Sequence, residues 1–335
     1  MKAKYLTCAL ALSLAASAAA WAAAQPAAPG GAPAAQSATA KPKRINRAIE
    51  MLEQGQPVYY SQGPGSGYEG GKALAATKAD YITYEMEHGA LDFHQLREFM
   101  RGLVDAGPTR TGHRTPAVIV TLPIQGTDPT SMRANTWMIQ QTLAAGVHGI
   151  LLVMAENPEA VRTFIENSRY PFAPPLPGLN MGTRGSGSQG YAAQIWGVSQ
   201  EEYFRRADVW PANPEGEILL GIKIETPRGA VRAEELTRIP GLGFAEWGPG
   251  DQAFILLGRP GAPGGPTNRG ETNPLMAPIR ARVLAATKAA KIFFLNSCSE
   301  ATVIQQIQDG TMICTGGDSP AADKGRAYTK RTAPF

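Results

Sequence analysis

Eight short apolar runs begin near residues 57, 81, 117, 149, 218, 243, 291 and 311, with helical patterns between most of them. The run at 117–122 is rich in β-branched residues, as expected of a strand buried on both faces. Residues 93–106 place Leu96, Phe99, Met100 and Leu103 on one face of an amphipathic helix, and residues 158–168 read as a helix with proline in its first turn. Helices are also expected over 44–54, 68–78 and 130–145, and the stretch rich in Gly and Pro after Arg169 reads as a loop. Such alternation predicts a parallel α/β fold, and eight units favour a closed (β/α)8 TIM barrel over an open sheet.

Two of the runs end in a carboxylate. Residues 219–226 deliver Glu225 and residues 244–251 deliver Asp251, and a parallel barrel would bring both to its carboxyl-end rim. Hard divalent cations such as Mg²⁺ or Mn²⁺ take oxygen ligands, and Mg²⁺ uses one or two carboxylates while leaving positions for water and substrate. A carboxylate after a strand is also a common helix cap, so one alone reads as structural. Two in one repeating chain shift the balance toward a metal site, and His88 follows a third strand.

The 335 residues suffice for one large domain or two small ones. Residues 1–24 have the pattern of a secretory signal: Lys2 and Lys4, an apolar stretch, then Ala22-Ala23-Ala24 as the cleavage site. Residues 25–43 read as a flexible Ala/Pro/Gly-rich linker, 44–317 as the barrel, and 318–335 as a polar tail. The expected mature protein is exported, periplasmic or secreted, with no second apolar stretch long enough to anchor it in a membrane. Its formal net charge of +4 falls to about +2 once the two signal lysines are removed, so nothing calls for nucleic acid or another polyanion. Cys8 lies in the signal, leaving Cys298 and Cys314, which would pair only if their Cα atoms lie within about 7 Å. No His/Cys cluster has zinc-like spacing.

Several motifs, in order, resemble the HpcH/HpaI aldolase and citrate lyase family of metal-dependent lyases, from about Ile45 to Gly317. Asp80-Tyr81-Ile82-Thr83-Tyr84-Glu85-Met86-Glu87-His88-Gly89 is similar to a family strand ending in a Glu-His pair. Arg169-Tyr170-Pro171 with Gly182-Thr183-Arg184-Gly185 resembles a family loop, and Ile224-Glu225-Thr226 and Gly248-Pro249-Gly250-Asp251 resemble its two metal-ligand motifs. The resemblance implies a divalent cation (Mg²⁺, Mn²⁺ or Co²⁺) on Glu225 and Asp251, and a small 2-oxo acid or related carboxylate as substrate. The expected reaction is aldol cleavage through an enolate that the cation stabilises. His88 would handle the proton, with Glu85 or Glu87 orienting it.

One departure qualifies that expectation. The family's aldolases usually carry an arginine after the third strand, where this chain reads Val118-Ile119-Val120-Thr121-Leu122-Pro123. A neutral side chain does not replace a guanidinium that clamps a carboxylate, which leaves a carboxylate-binding barrel or another metal-enolate reaction as alternatives. Arg184 is the candidate substitute; its other reading is a loop staple or a solvated charge. His94 is expected in solvent, His113 lies in a basic turn, and His148 reads as structural. Trp247 walls the pocket or, by default, packs in the core. The tail offers at most a brief helix, so subunit exchange through it, as in some family homo-oligomers, stays open.

Overall fold

The computed structural model describes residues 43–63 and 66–332. The expected signal peptide and all but the last residue of the linker lie outside them. The helix Arg47–Glu53 opens the described chain, its N-terminus capped by Asn46, whose side-chain oxygen accepts from the Ala48 N–H at 3.0 Å. Its buried face, Ala48, Ile49, Met51 and Leu52, packs on Val58, Tyr81, Ile119, Leu151, Leu219, Phe244 and Ile313. Burying each such Ile or Leu is worth about 1.5–3 kcal/mol, so this helix is a firm plug for the amino end of the sheet.

The strands are β1 (Val58–Gly63), β2 (Tyr81–Glu85), β3 (Ala117–Gln125), β4 (Gly149–Val153), β5 (Val209–Trp210), β6 (Ile218–Ile224), β7 (Phe244–Trp247), β8 (Phe293–Asn296) and β9 (Thr311–Thr315). They pair in parallel in the order β4-β3-β2-β1-β9-β8-β7-β6, and a β4–β6 pairing closes the ring. The two-residue β5 pairs only with β6 and stands beside the ring. The fold is therefore an eight-stranded TIM barrel, and its eight strands are those read from the sequence. Among the described residues the eight-stranded ring itself has no free edge, which excludes the open sheet.

Three segments differ from expectation. The helix expected over 130–145 is two helices, Pro129–Ala134 and Thr136–Ala144, parted at Asn135, whose side chain donates to the Ser131 carbonyl at 2.9 Å. The expected loop before β6 contains the helices Gln189–Trp196 and Gln200–Arg206, because Ala192, Ile195, Trp196 and Tyr203 bury an apolar face against the barrel. The segment read as a polar tail supplies the barrel's last helix, Pro320–Tyr328. Arg326 anchors it by donating to the Lys78 and Gly317 carbonyls at 2.9 Å each, and Arg331 pairs with buried Asp80.

Just beyond β8, Cys298 is disulfide-bonded to Cys314 of β9, with 5.4 Å between their Cα atoms. Among the described residues no helix is long and apolar enough to cross a membrane.

Candidate active site at the carboxyl-end rim

Alternate residues of the strands point into the barrel, and their character changes along its axis. The amino-end layer is apolar, built on Tyr81, Ile119, Leu151, Leu219 and Phe244. Above it Gln62, Thr83, Glu85, Thr121, Lys223 and Glu246 line a polar cavity of about 90 Å³. A larger groove of about 470 Å³ lies among outer-helix residues such as Arg162, Glu234 and Arg238, and it shares no residue with the carboxylates described next.

At the rim, ligand oxygens of Glu87, Glu225 and Asp251 all lie within 4.8 Å of one another. Glu225 directly follows β6, Asp251 sits in the first turn of the helix Pro249–Leu257 after β7, and Glu87 follows β2 by two residues. Glu225 is 1% exposed. Its Oε1 accepts the Met154 N–H at 2.8 Å, and Met154, at the end of β4, holds a left-handed φ of 49°. A methionine there is strained, and strain of this kind gathers at functional sites. On the opposite side Gly248 allows a close approach: a Cβ at that position would lie 2.4 Å from the Glu225 Cβ.

Burial pushes the Glu225 carboxyl up to about 8, although Lys223 and the Met154 N–H pull the other way. Burial likewise pushes Glu246 up to about 7 against the pull of Lys223. Both shifts arise chiefly because burial disfavours the charged carboxylate. Three carboxylates offering convergent oxygens, with one ammonium beside them, form a donor set suited to a hard dication.

Glu85 organises the loop that carries the histidine. Its Oε1 accepts the N–H groups of Glu87 at 2.6 Å and His88 at 3.1 Å, which fixes the turn after β2. The His88 ring lies 3.7 Å from both Glu85 and Glu87 through its two nitrogens, beyond hydrogen-bond length, and its side chain is 67% exposed. Both expected orienting carboxylates therefore flank it, and the imidazole faces the open mouth. Glu87 also touches the Lys223 ammonium at 2.6 Å.

No family model matches the chain. A hydroxypyruvate/pyruvate aldolase of Roseovarius nubinhibens is 23% identical over 228 residues, covering 68% of this chain and 74% of that protein. Another from Delftia acidovorans is 27% identical over 162 residues, covering 48% and 52%. In structure, an HpcH/HpaI aldolase/citrate lyase family protein from Burkholderia cenocepacia superposes with a TM-score of 0.61 at 21% identity, covering 85% of this chain and 98% of that one. The chain is similar to these aldolases in sequence and shares the fold of an HpcH/HpaI aldolase/citrate lyase family protein.

The positive charges near the site are not where the sequence suggested. β3 gives the cavity Ile119 and Thr121 and no cation. Arg184 is held elsewhere: its Nη2 donates to the Tyr203 hydroxyl at 2.6 Å and its guanidinium lies over the Tyr170 ring at 4.6 Å. Neither partner belongs to the carboxylate group. Arg169 of the same loop forms a buried two-pronged pair with Asp208 at 2.6 and 2.8 Å, a structural role. The cation at the carboxylates is Lys223, which the sequence reading passed over. Its signal was available: a lysine inside an otherwise apolar strand run is rarely buried without a partner.

The remaining candidates have other partners or face solvent. His94 is exposed, and buried His113 contacts Thr111 and Glu50. His148 is buried and accepts the Val118 N–H at 3.1 Å. Trp247 is packed in the core and donates to Gln252.

Proposed function

We propose that this barrel is a divalent-metal-dependent carbon–carbon lyase of the aldolase type, cleaving a small 2-oxo-hydroxy acid. The observation that carries the reading is the convergence of Glu87, Glu225 and Asp251 within 4.8 Å at the rim, with His88 beside them. Glu225 and Asp251 would hold the cation, and Glu87 lies close enough to complete the set. A bound divalent cation supplies positive charge to the oxygen that becomes anionic as the bond next to a ketone breaks.

The chain's own residues supply the rest. His88 takes the proton of the substrate hydroxyl and returns one to the product carbon, a task suited to an imidazole at neutral pH. Glu85 keeps the His88 backbone in place through its two accepted N–H bonds, and Glu87 links the histidine loop to Lys223. The Met154 N–H and Gly248 keep the Glu225 carboxylate aimed at the mouth.

A second reading, a carboxylate-binding barrel without turnover, draws on the cation-free β3 wall. Tight binding of 2-oxo acids without product would favour it. Export is part of the proposal, and the Cys298–Cys314 bridge agrees with an oxidising compartment.

Calorimetric titration with Mn²⁺ tests the ligand assignment. Glu225→Gln and Asp251→Asn should each weaken binding by at least about tenfold, as loss of a charged ligand does. Undiminished binding in both variants would defeat the assignment.

A further inference from the structure

The mouth of the barrel presents an electrostatic difficulty for the proposed substrate. Glu85, Glu87, Glu225, Glu246 and Asp251 all surround the rim or the cavity below it, and a 2-oxo acid brings a further negative charge. A dication on three of those carboxylates leaves the site net negative, so like charge opposes the entering carboxylate unless a fixed cation meets it. Arg184 does not serve, because Tyr203 and Tyr170 hold its guanidinium in the outer helix layer.

Lys223 is placed to do so. It stands on β6 directly across from Glu246 on β7, so both side chains enter the same cavity. Its Nζ donates to Glu87 Oε2 at 2.6 Å and lies 3.7 Å from Glu225 Oε2, which is longer than a hydrogen bond. An ammonium carries three donors, and the Glu87 bond uses one of them. The side chain is 11% exposed, so its charge acts in a partly water-excluded setting where a pairing with an anion is stronger than at the surface.

We propose that Lys223 is the residue that binds the substrate carboxylate, its ammonium bridging Glu87 and the carboxylate of a 2-oxo acid held at the rim. This rests on the reading of the site as one for 2-oxo acids. The cation that meets the substrate thus comes from the fifth strand of the ring rather than the third. A lysine offers a compact point charge in place of a two-pronged guanidinium, so recognition depends on charge more than on carboxylate orientation. Glu87 acts as a positioning residue, holding the ammonium on the His88 side of the mouth.

The test uses the full mature protein and two ligands: pyruvate, and pyruvamide, in which a neutral amide replaces the carboxylate. Mn²⁺ binding is measured first by calorimetry, then binding of each ligand to the Mn²⁺-loaded protein. The wild type should prefer pyruvate over pyruvamide. Lys223→Gln should retain Mn²⁺ binding, weaken pyruvate at least tenfold and leave pyruvamide within about threefold, so that the preference collapses. Lys223→Met, which keeps the stem and removes the charge, should behave alike, and far-ultraviolet circular dichroism checks that both variants fold.

Equal loss of pyruvate and pyruvamide would mean that Lys223 only supports the pocket, and would overturn the inference. So would undiminished pyruvate binding in both variants. A wild type that binds Mn²⁺ but neither ligand defeats the reading of the site and the inference with it. Collapse of the preference alone supports Lys223 as the carboxylate's partner.

Discussion

Gly248 stands directly against Glu225. A Cβ at residue 248 would lie 2.4 Å from the Glu225 Cβ and 2.8 Å from its Oε2, distances that real side chains do not tolerate. The glycine between β7 and the helix bearing Asp251 thus sets the position of the carboxylate that follows β6.

Gly248→Ala should therefore push Glu225 out of place. We expect Mn²⁺ affinity to fall by at least about tenfold while the barrel still folds, with stability lower by about 1–3 kcal/mol, as for other overpacked sites. Calorimetry and urea unfolding read the two effects separately. Wild-type metal affinity in this variant would show that the glycine is not needed for the site.

The His88 side chain is exposed, and its ring makes no contact shorter than 3.7 Å with the two neighbouring carboxylates. His88→Ala should cost under about 0.5 kcal/mol of stability, as surface substitutions do. It should lower kcat by about 10²–10⁴-fold, the usual contribution of a positioned acid–base group, with Mn²⁺ binding intact. Steady-state kinetics beside a thermal melt decide the point. A variant with full kcat would remove His88 from the mechanism.

His148 links stability to acid. Burial, with a smaller push from His113, lowers its imidazole to about 3, against about 6.5 in an unfolded chain. Between those values the unfolded state binds more protons, so this contribution is whole above about pH 6.5 and is lost as pH falls toward 3, by up to about 1.4 kcal/mol per unit. Glu225 and Glu246, raised to about 8 and about 7, act in the opposite sense, adding stability as pH falls toward the ordinary carboxylate range. Comparing the wild type with His148→Gln cancels those terms. Urea unfolding should show the wild type losing about 2 kcal/mol more than the variant between pH 7 and pH 5. Parallel pH dependence in the two proteins would contradict the assignment.

The Cys298–Cys314 bridge spans 16 residues of sequence. Closing a loop of that length is worth about 3 kcal/mol, so reduction should lower unfolding stability by roughly that amount. Unfolded but unreduced mature protein should give no titratable thiol, and two thiols per chain would show that the bridge does not form.

The barrel was legible because its eight strands are short apolar runs, most of them set off by a helical pattern. The two rim carboxylates were legible because both follow such runs. The helices between residues 189 and 206 were hidden by the Gly- and Pro-rich stretch before them. Ser199-x-x-Glu202 was nonetheless a start signal there, and the Ser199 hydroxyl accepts the Glu202 N–H at 3.1 Å. Lys223 and Glu246 were hidden for a different reason. They face each other across the β6–β7 register, and the contact of Lys223 with Glu87, two residues past β2, depends on ring closure, which no local pattern encodes. Arg184 read as a loop charge, yet it is 1% exposed between two tyrosine rings, a contact set by helices the sequence reading had not placed.

The central claim is that the rim carboxylates hold a divalent cation required for breaking a carbon–carbon bond. Pyruvate release from a panel of 4-hydroxy-2-oxo acids by the purified mature protein tests it most directly, assayed with Mn²⁺, with chelator, and with Asp251→Asn. The account predicts release from at least one member with Mn²⁺, and its loss both in chelator and in the variant. Release that persists undiminished in chelator and in Asp251→Asn, or no release from any member by Mn²⁺-loaded wild type, would contradict it.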